Sequence, residues 1–425
     1  MPWNESSVMS EREAFVVEYG LGEASVADLC ERFGISRKTG YKWLDRYEAD
    51  GLPGLKDRKR APRERPSAFG NAIRARVLEL RESTGRQREV YGPAKLLHLL
   101  EQEGGWERLP AASTIALWLR EAGVSRHYRK RRRAFGSDTI IDARAPNELW
   151  CIDLKGWFRV KSGQRCDPLT VTDASSRFGL LCEGVFGGPP ATEHVKASLT
   201  GVFERYGLPR YMLSDNGPPF ASTGFGGLST LSVWLIRLGI TPVRIVPGRP
   251  WQNGRHERFH RTLKQAVASP PATTPQMQTR ALDEFVNWYN EQRPHEGLGM
   301  RCPAQLHTQS PRRFEGVPAE VHYDDGLEVR VACKDGTIRW HGQRIYLNSS
   351  LAGQAVGLLL HEDEPKATVY LSGYKVGQID LAKGKTIPPK PGKRRLIRAG
   401  APPPGSAPCG GPAKPDVDYE EVLPM

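Results

Sequence analysis

From about residue 146 the apolar residues change from the three-and-four spacing of helices to the alternate spacing of strands. This change most restricts what the chain can fold into. ELWCIDLKGWFRV, CDPLTVTDASS and RFGLLCEGVF are successive β-like runs with short connections, which predicts an antiparallel meander. A helix follows in TEHVKASLTGVFERYG, with Val195, Leu199, Val202, Phe203 and Tyr206 on its inner side. PRYMLSD then reads as a strand, 225–238 as a helix, TPVRIV as a strand and NGRHERFHRTLKQAV as a capped helix. The order over 146–310 is therefore three strands, helix, strand, helix, strand, helix, closed by a last helix carrying Leu282, Phe285, Val286 and Tyr289. It predicts an α/β core around a mixed five-stranded sheet.

The segments on either side are of other kinds. Within 10–50, SVADLCERFGISRKTGYKWLDRYEADG places Val26, Leu29 and Phe33 at helical spacing, breaks at Gly34, and offers Ser36 to cap a second helix. Tyr41 or Trp43, Leu44 and Tyr47 can face inward there, leaving Arg37, Lys38 and Lys42 outside, as in a helix-turn-helix with a basic recognition helix. Residues 51–68 read as a charged linker. Residues 69–123 form a second helical unit around Ile73, Val77 and Leu80, then Leu96, Leu97, Leu99 and Leu100, then Ile115, Leu117, Trp118 and Leu119; it is either another helix-turn-helix or an architectural bundle. In the linker 124–145, Arg126, Arg129, Lys130, Arg131, Arg132 and Arg133 form a basic run suited to phosphates. Short strands with glycine turns over 318–380 predict a small β-barrel, and 381–425, rich in proline and basic residues, predicts a disordered tail.

Three acidic residues stand where the core's elements end. Asp153 lies among Trp150, Ile152 and Leu154, and a carboxylate in an apolar strand must be paired, hydrated or bound to metal. Asp215 ends its strand in SDNGPPF, where Asn216 and Gly217 let the chain turn away. Glu257 comes early in the helix that Asn253 can cap. Phe259, Leu263 and Val267 form that helix's apolar stripe, and Glu257, His260 or Arg261, and Lys264 share another face. Magnesium takes hard oxygen ligands, so a few carboxylates and phosphate oxygens can hold two ions. Asp173, at the end of a strand, reads as a turn or cap residue.

Asp153, SDNG around Asp215, QNGRHERFHRTLK around Glu257 and the following WYNEQRPHEGL together resemble the bacterial insertion-sequence transposases with a retroviral-integrase-type core, over about 146–310. The helix-turn-helix resembles that family's end-binding domains more loosely. The resemblance implies a ribonuclease-H-like fold, with Asp153, Asp215 and Glu257 as the acidic triad and Asn216, Gly217, Asn253 and Gly254 shaping its loops. It also implies two Mg2+ ions, for which Mn2+ can substitute, and cleavage and strand transfer on double-stranded DNA, both element ends and target, by a homo-oligomer. Arg37, Lys38, Lys42, Arg129, Lys130, Arg131, Arg132, Arg133, Arg255, His260, Arg261 and Lys264 are the expected DNA contacts. Two departures stand out. Forty-one residues separate Asp215 from Glu257, somewhat more than in the most familiar members, and the glycine-rich STGFGGLST is expected to absorb the excess. The paired His and Cys zinc module that opens retroviral integrases has no counterpart.

Composition agrees with a polyanionic partner: 61 Lys and Arg against 48 Asp and Glu give a net charge of +13. Seven cysteines (30, 151, 166, 182, 302, 333 and 409) show no C-x-x-C pair, which argues against a zinc ribbon or a disulfide framework. No export signal or membrane-length apolar run is read, so the expected place is the cytoplasm, on the nucleoid when DNA is bound. Two other functions compete: a regulator built on a catalytically dead core, which the intact acidic set opposes, and a ribonuclease-H-type enzyme acting on RNA, which leaves the N-terminal units without a role.

Overall fold

The structure is a computed structural model that describes residues 8–57, 69–86, 91–125, 141–318 and 320–387. The N-terminal unit holds α1 (Val8–Leu21), α2 (Val26–Arg32) and α3 (Arg37–Asp50), with Ser25 and Ser36 capping the second and third helices by accepting from Asp28 N and Thr39 N. Phe15, Val16, Leu29, Cys30, Trp43 and Leu55 make its core. Gly40 lets α3 approach closely, since a Cβ there would strike Cys30 Sγ. Trp43 takes the inward position while Tyr41 and Tyr47 are exposed, and the Arg12 guanidinium lies 3.8 Å over the Trp43 ring. The expected linker starts later than residue 51: Leu52–Leu55 forms a 3-10 turn whose fully buried Leu55 belongs to this unit's core.

The rest of the described chain forms the second unit. It opens with α4 (Asn71–Arg86), α5 (Pro93–Glu103) and α6 (Ala112–Glu121), which bury Ile73, Val77, Leu80, Leu96, Leu100, Ile115, Trp118 and Leu119 and leave Leu117 exposed. The sheet that follows is built from β1 (Leu149–Leu154), β2 (Phe158–Arg159), β3 (Arg165–Asp173) and β4 (Gly179–Phe186). After α7 (Thr192–Tyr206) come β5 (Tyr211–Ser214), α8 (Thr230–Arg237), β6 (Thr241–Arg244), α9 (Gly254–Val267) and α10 (Pro275–Glu291). β4, β3 and β1 pair antiparallel, and β5 and β6 add in parallel, giving the expected mixed arrangement. The sheet has six strands rather than five because ELWCIDLKGWFRV is not one strand. Gly156 takes a φ of +82°, breaks the run after β1, and lets β2 pair with the start of β3.

Alternation along β1 decides what faces what. Trp150 and Ile152 enter the core with Leu169, Val171, Val195, Leu199 and Phe203, while Leu149 and Cys151 point to the other face. Asp153 shares that second parity, and its registered neighbour on β3 is Thr170, as Thr172 is for Cys151. α9 and α10 pack together through Phe259, Leu263, Leu282, Phe285 and Tyr289.

The C-terminal strands β7 (Glu328–Val331), β8 (Thr337–Trp340), β9 (Gln343–Tyr346), β10 (Ala355–Leu360), β11 (Lys366–Leu371), β12 (Tyr374–Asp380) and β13 (Lys385–Ile387) do not close into the expected barrel. They form an open antiparallel sheet, β13-β12-β11-β10-β7, and a separate β8-β9 hairpin. Their apolar face has another cover: Val356, Leu358, Val369 and Val376 share one cluster with Leu228, Val233 and Ile236 of the core. The STGFGGLST segment supplies part of that joint. Gly226 and Gly227 take positive φ, and Asn348 Nδ2 donates to Phe225 O and Leu228 O. The expected tail begins with order, since 381–387 includes the edge strand β13; 388–425 lie outside the described residues. No helix among the described residues is long and apolar enough to cross a membrane.

Candidate active site

The ends of β1 and β5 and the first turns of α9 carry the three acidic residues. The parallel register pairs Cys151 with Leu213, so Asp153 and Asp215, each two residues further on, leave neighbouring strands at the same level. Glu257 stands exposed in the first turn of α9. Their proximity shows in the Asp153 carboxyl, whose pKa rises from 3.8 to about 7: burial is the largest cause, the Asp215 charge the next cause that raises it, and the Glu257 charge adds, against a lowering backbone hydrogen bond from Leu154. Around Asp215, Gly217 N donates to its Oδ1 at 3.2 Å, and Asn216 Nδ2 donates to Ile245 O at 2.9 Å.

Other loop expectations change. Asn253 makes no side-chain cap on α9; it is buried, and its Oδ1 has no hydrogen-bond partner among the described residues. The 3-10 turn Pro250–Asn253 leads into the helix instead. Gly254 has ordinary helical φ and ψ with open space where a Cβ would lie, so nothing local requires glycine there. Asp173 is fully buried and accepts from Asn147 N, Ser176 N and Ser176 Oγ at 2.6 to 2.7 Å, which makes it the anchor of the β3–β4 turn.

The closest set of potential metal donors among the described residues is not the acidic triad but Asp153 with His256 and His260, whose donor atoms all lie within 4.8 Å of one another. His256 is fully buried; Thr170 Oγ1 contacts its Nε2 at 2.8 Å and Thr172 Oγ1 its Nδ1 at 2.7 Å. His260, expected as a DNA contact, turns inward. Its Nε2 lies 2.7 Å from Thr170 Oγ1 and its Nδ1 3.9 Å from Asp153 Oδ2. Burial holds both rings neutral: it is the main cause that brings His260 down to about 4, with help from the Lys155 charge, and His256 lies well below its ordinary value.

Lys155, Thr170, Thr172 and His256 were missed by sequence reasoning. Lys155 had a signal, standing two residues beyond Asp153, just past the end of β1. Its pKa is lowered by burial and then by the Lys264 charge, which places Lys264 beside it. Lys264 and Arg261 are exposed, as expected. Arg255 Nη1 donates to Ala174 O at 2.7 Å, so part of that guanidinium serves the fold. Arg37, Lys38 and Lys42 are exposed on α3, whereas Arg129, Lys130, Arg131, Arg132 and Arg133 lie outside the described residues.

Comparison with known proteins gives this geometry a family. Integrase core domain families match residues 143–250 and 238–303, a helix-turn-helix domain family matches 11–63, and a homeodomain-like family matches 39–119. The chain carries an integrase core domain behind helix-turn-helix domains, and its relatives are proteins of bacterial insertion elements. It is 27% identical over 250 residues to the insertion element IS407 uncharacterized 31.7 kDa protein of Burkholderia multivorans, covering 57% of this chain and 83% of that protein. It is also 27% identical over 251 residues to the IS476 uncharacterized 39.2 kDa protein of Xanthomonas euvesicatoria, covering 57% and 66%. To the putative transposase InsD of insertion element IS2E from Escherichia coli the identity is 26% over 176 residues, covering 40% and 77%. This transposase is therefore a polynucleotidyl-transfer enzyme with a DNA-binding N-terminal region.

Proposed function

We propose that the transposase binds the ends of a mobile DNA element and cuts and joins DNA at divalent ions held by Asp153, Asp215 and Glu257. The observation that carries this is the convergence of three carboxylates from β1, the end of β5 and α9 around a half-buried Asp153. Burial above all, and then the charges of Asp215 and Glu257 from two other elements, raise the Asp153 carboxyl toward neutrality. Such crowding is unfavourable in an empty protein and is relieved by a hard divalent cation, whose preferred ligands are carboxylate oxygens. When bound, two such ions supply activation of the attacking oxygen and stabilisation of the leaving one in phosphoryl displacement. The chain's own residues set the rest. Asp153, on a strand between two others, would serve both ions, and Asp215 and Glu257 would each complete one side. Lys155, Arg261 and Lys264 offer positive charge beside them for phosphates, which fixes DNA without reading its sequence. Arg37, Lys38 and Lys42 on α3 read the element ends. Two ends must be joined to one target, so the working form is a homo-oligomer on DNA, acting in the cytoplasm.

The test is strand transfer on oligonucleotides carrying the element's own ends. Asp153→Asn, Asp215→Asn and Glu257→Gln should each reduce cleavage and joining to background while the folded protein still binds DNA, and a double change should be hardly worse than a single one because the three act as a unit. A folded, DNA-binding Glu257→Gln variant that joined ends at the normal rate would refute the assignment.

A further inference from the structure

Thr170 and its neighbours settle where the protons on two histidines sit. The Thr170 hydroxyl has one proton and two lone pairs. It donates to Asp153 O at 3.0 Å, and a carbonyl can only accept. Its two remaining partners, Nε2 of His256 at 2.8 Å and Nε2 of His260 at 2.7 Å, must then both be N–H donors. His256 is left with a lone pair on Nδ1, which the Thr172 hydroxyl fills at 2.7 Å. With both rings neutral, this is the one assignment that satisfies all four contacts. His260 is also left with a lone pair on Nδ1, and among the described residues no hydrogen bond fills it. That nitrogen faces Asp153 Oδ2 at 3.9 Å, too far for a hydrogen bond and about twice an ion–ligand distance of roughly 2.0–2.1 Å.

We propose that His260 Nδ1 is a nitrogen ligand to the ion held by Asp153, with Thr170 fixing the imidazole in the tautomer that can bind, an inference that rests on the three-carboxylate site. Neutral imidazole suits first-row transition metals, whereas Mg2+ takes oxygen. The site then favours Mn2+ over Mg2+ more than carboxylates alone would. His256 is excluded as a ligand because both its nitrogens are occupied by threonine hydroxyls, and it serves instead to hold Thr170.

Mn2+ alone, added to the full-length protein without DNA, is the probe. Pulsed EPR of the wild-type protein should show coupling of bound Mn2+ to a 14N nucleus, and His260→Gln should remove it. Calorimetric titration should show His260→Gln weakening Mn2+ by about tenfold or more, with Mg2+ changed much less. Thr170→Val, which frees the tautomer, should weaken Mn2+ in the same direction. Bound Mn2+ without nitrogen coupling in the wild-type protein would overturn the proposal with no variant needed, as would an equal loss of Mg2+ and Mn2+ in His260→Gln. Asp153→Asn separates the two ideas. If it leaves Mn2+ binding intact, or if the wild-type protein binds no Mn2+, the carboxylate site itself fails and the proposal with it; if it abolishes binding while His260→Gln does not, only the histidine ligand fails.

Discussion

A carboxyl with a folded-state pKa near 7 and an ordinary value of 3.8 works against the metal-free fold at neutral pH. The folded protein holds the Asp153 proton more tightly than the unfolded chain. The stability this gives is full below about pH 4 and is lost as pH rises toward 7. His256 and His260 act in the other direction, since their lowered values cost stability as pH falls below about 6.5. Comparison with Asp153→Asn cancels the histidines. In EDTA the variant should melt close to the wild-type protein at pH 4 and increasingly above it toward pH 7, by no more than about 4 kcal/mol at 1.36 kcal/mol per pKa unit. Mg2+ should narrow the gap by binding the charged form. A gap independent of pH would mean that Asp153 titrates normally. Asp153 was legible because a charge interrupts an apolar strand. His260 was misplaced because a helical period alone allowed either it or Arg261 on the Glu257 face, and only the registered Thr170 on β3 decides between them.

Among the elements, legibility followed how fully local pattern determines structure. α2 and α3 followed the sequence because Ser25 and Ser36 cap them and Leu29 and Trp43 lie at helical spacing. The barrel did not appear because closure depends on which surface covers the strands, and here the core's Leu228, Val233 and Ile236 do so. Asn253 failed as a cap for a similar reason: it is buried against its surroundings rather than turned toward its own helix. For α3 the outward set Arg37, Lys38 and Lys42 leads to a specific expectation. Arg37→Ala with Lys38→Ala should remove most of the preference for element ends over scrambled duplex, while circular dichroism and melting of the N-terminal unit stay unchanged, since both side chains are exposed and outside its core. Anisotropy at fixed salt measures this, and an undiminished preference would show that α3 does not read the ends.

For the whole molecule the relevant quantity is the charge of +13, and how much of it acts on DNA. The recognition proposed for α3 and the chemistry proposed for Asp153 each need DNA held in place, and phosphate contacts provide that without regard to sequence. Lys130, Arg131, Arg132 and Arg133 are the densest basic run beside these units, although they lie outside the described residues. If all four meet phosphates, each contributes about 0.9 to the slope of log affinity against log salt, so replacing the run with glutamine should flatten the slope by roughly 3 to 4. Affinity should fall nearly equally for element ends and scrambled duplex, the opposite pattern to that expected of the α3 double variant. Measuring both variants across a salt series on both duplexes therefore separates holding from reading. An unchanged slope would show that the run stays in solvent, and a loss confined to the element ends would assign it to sequence recognition instead.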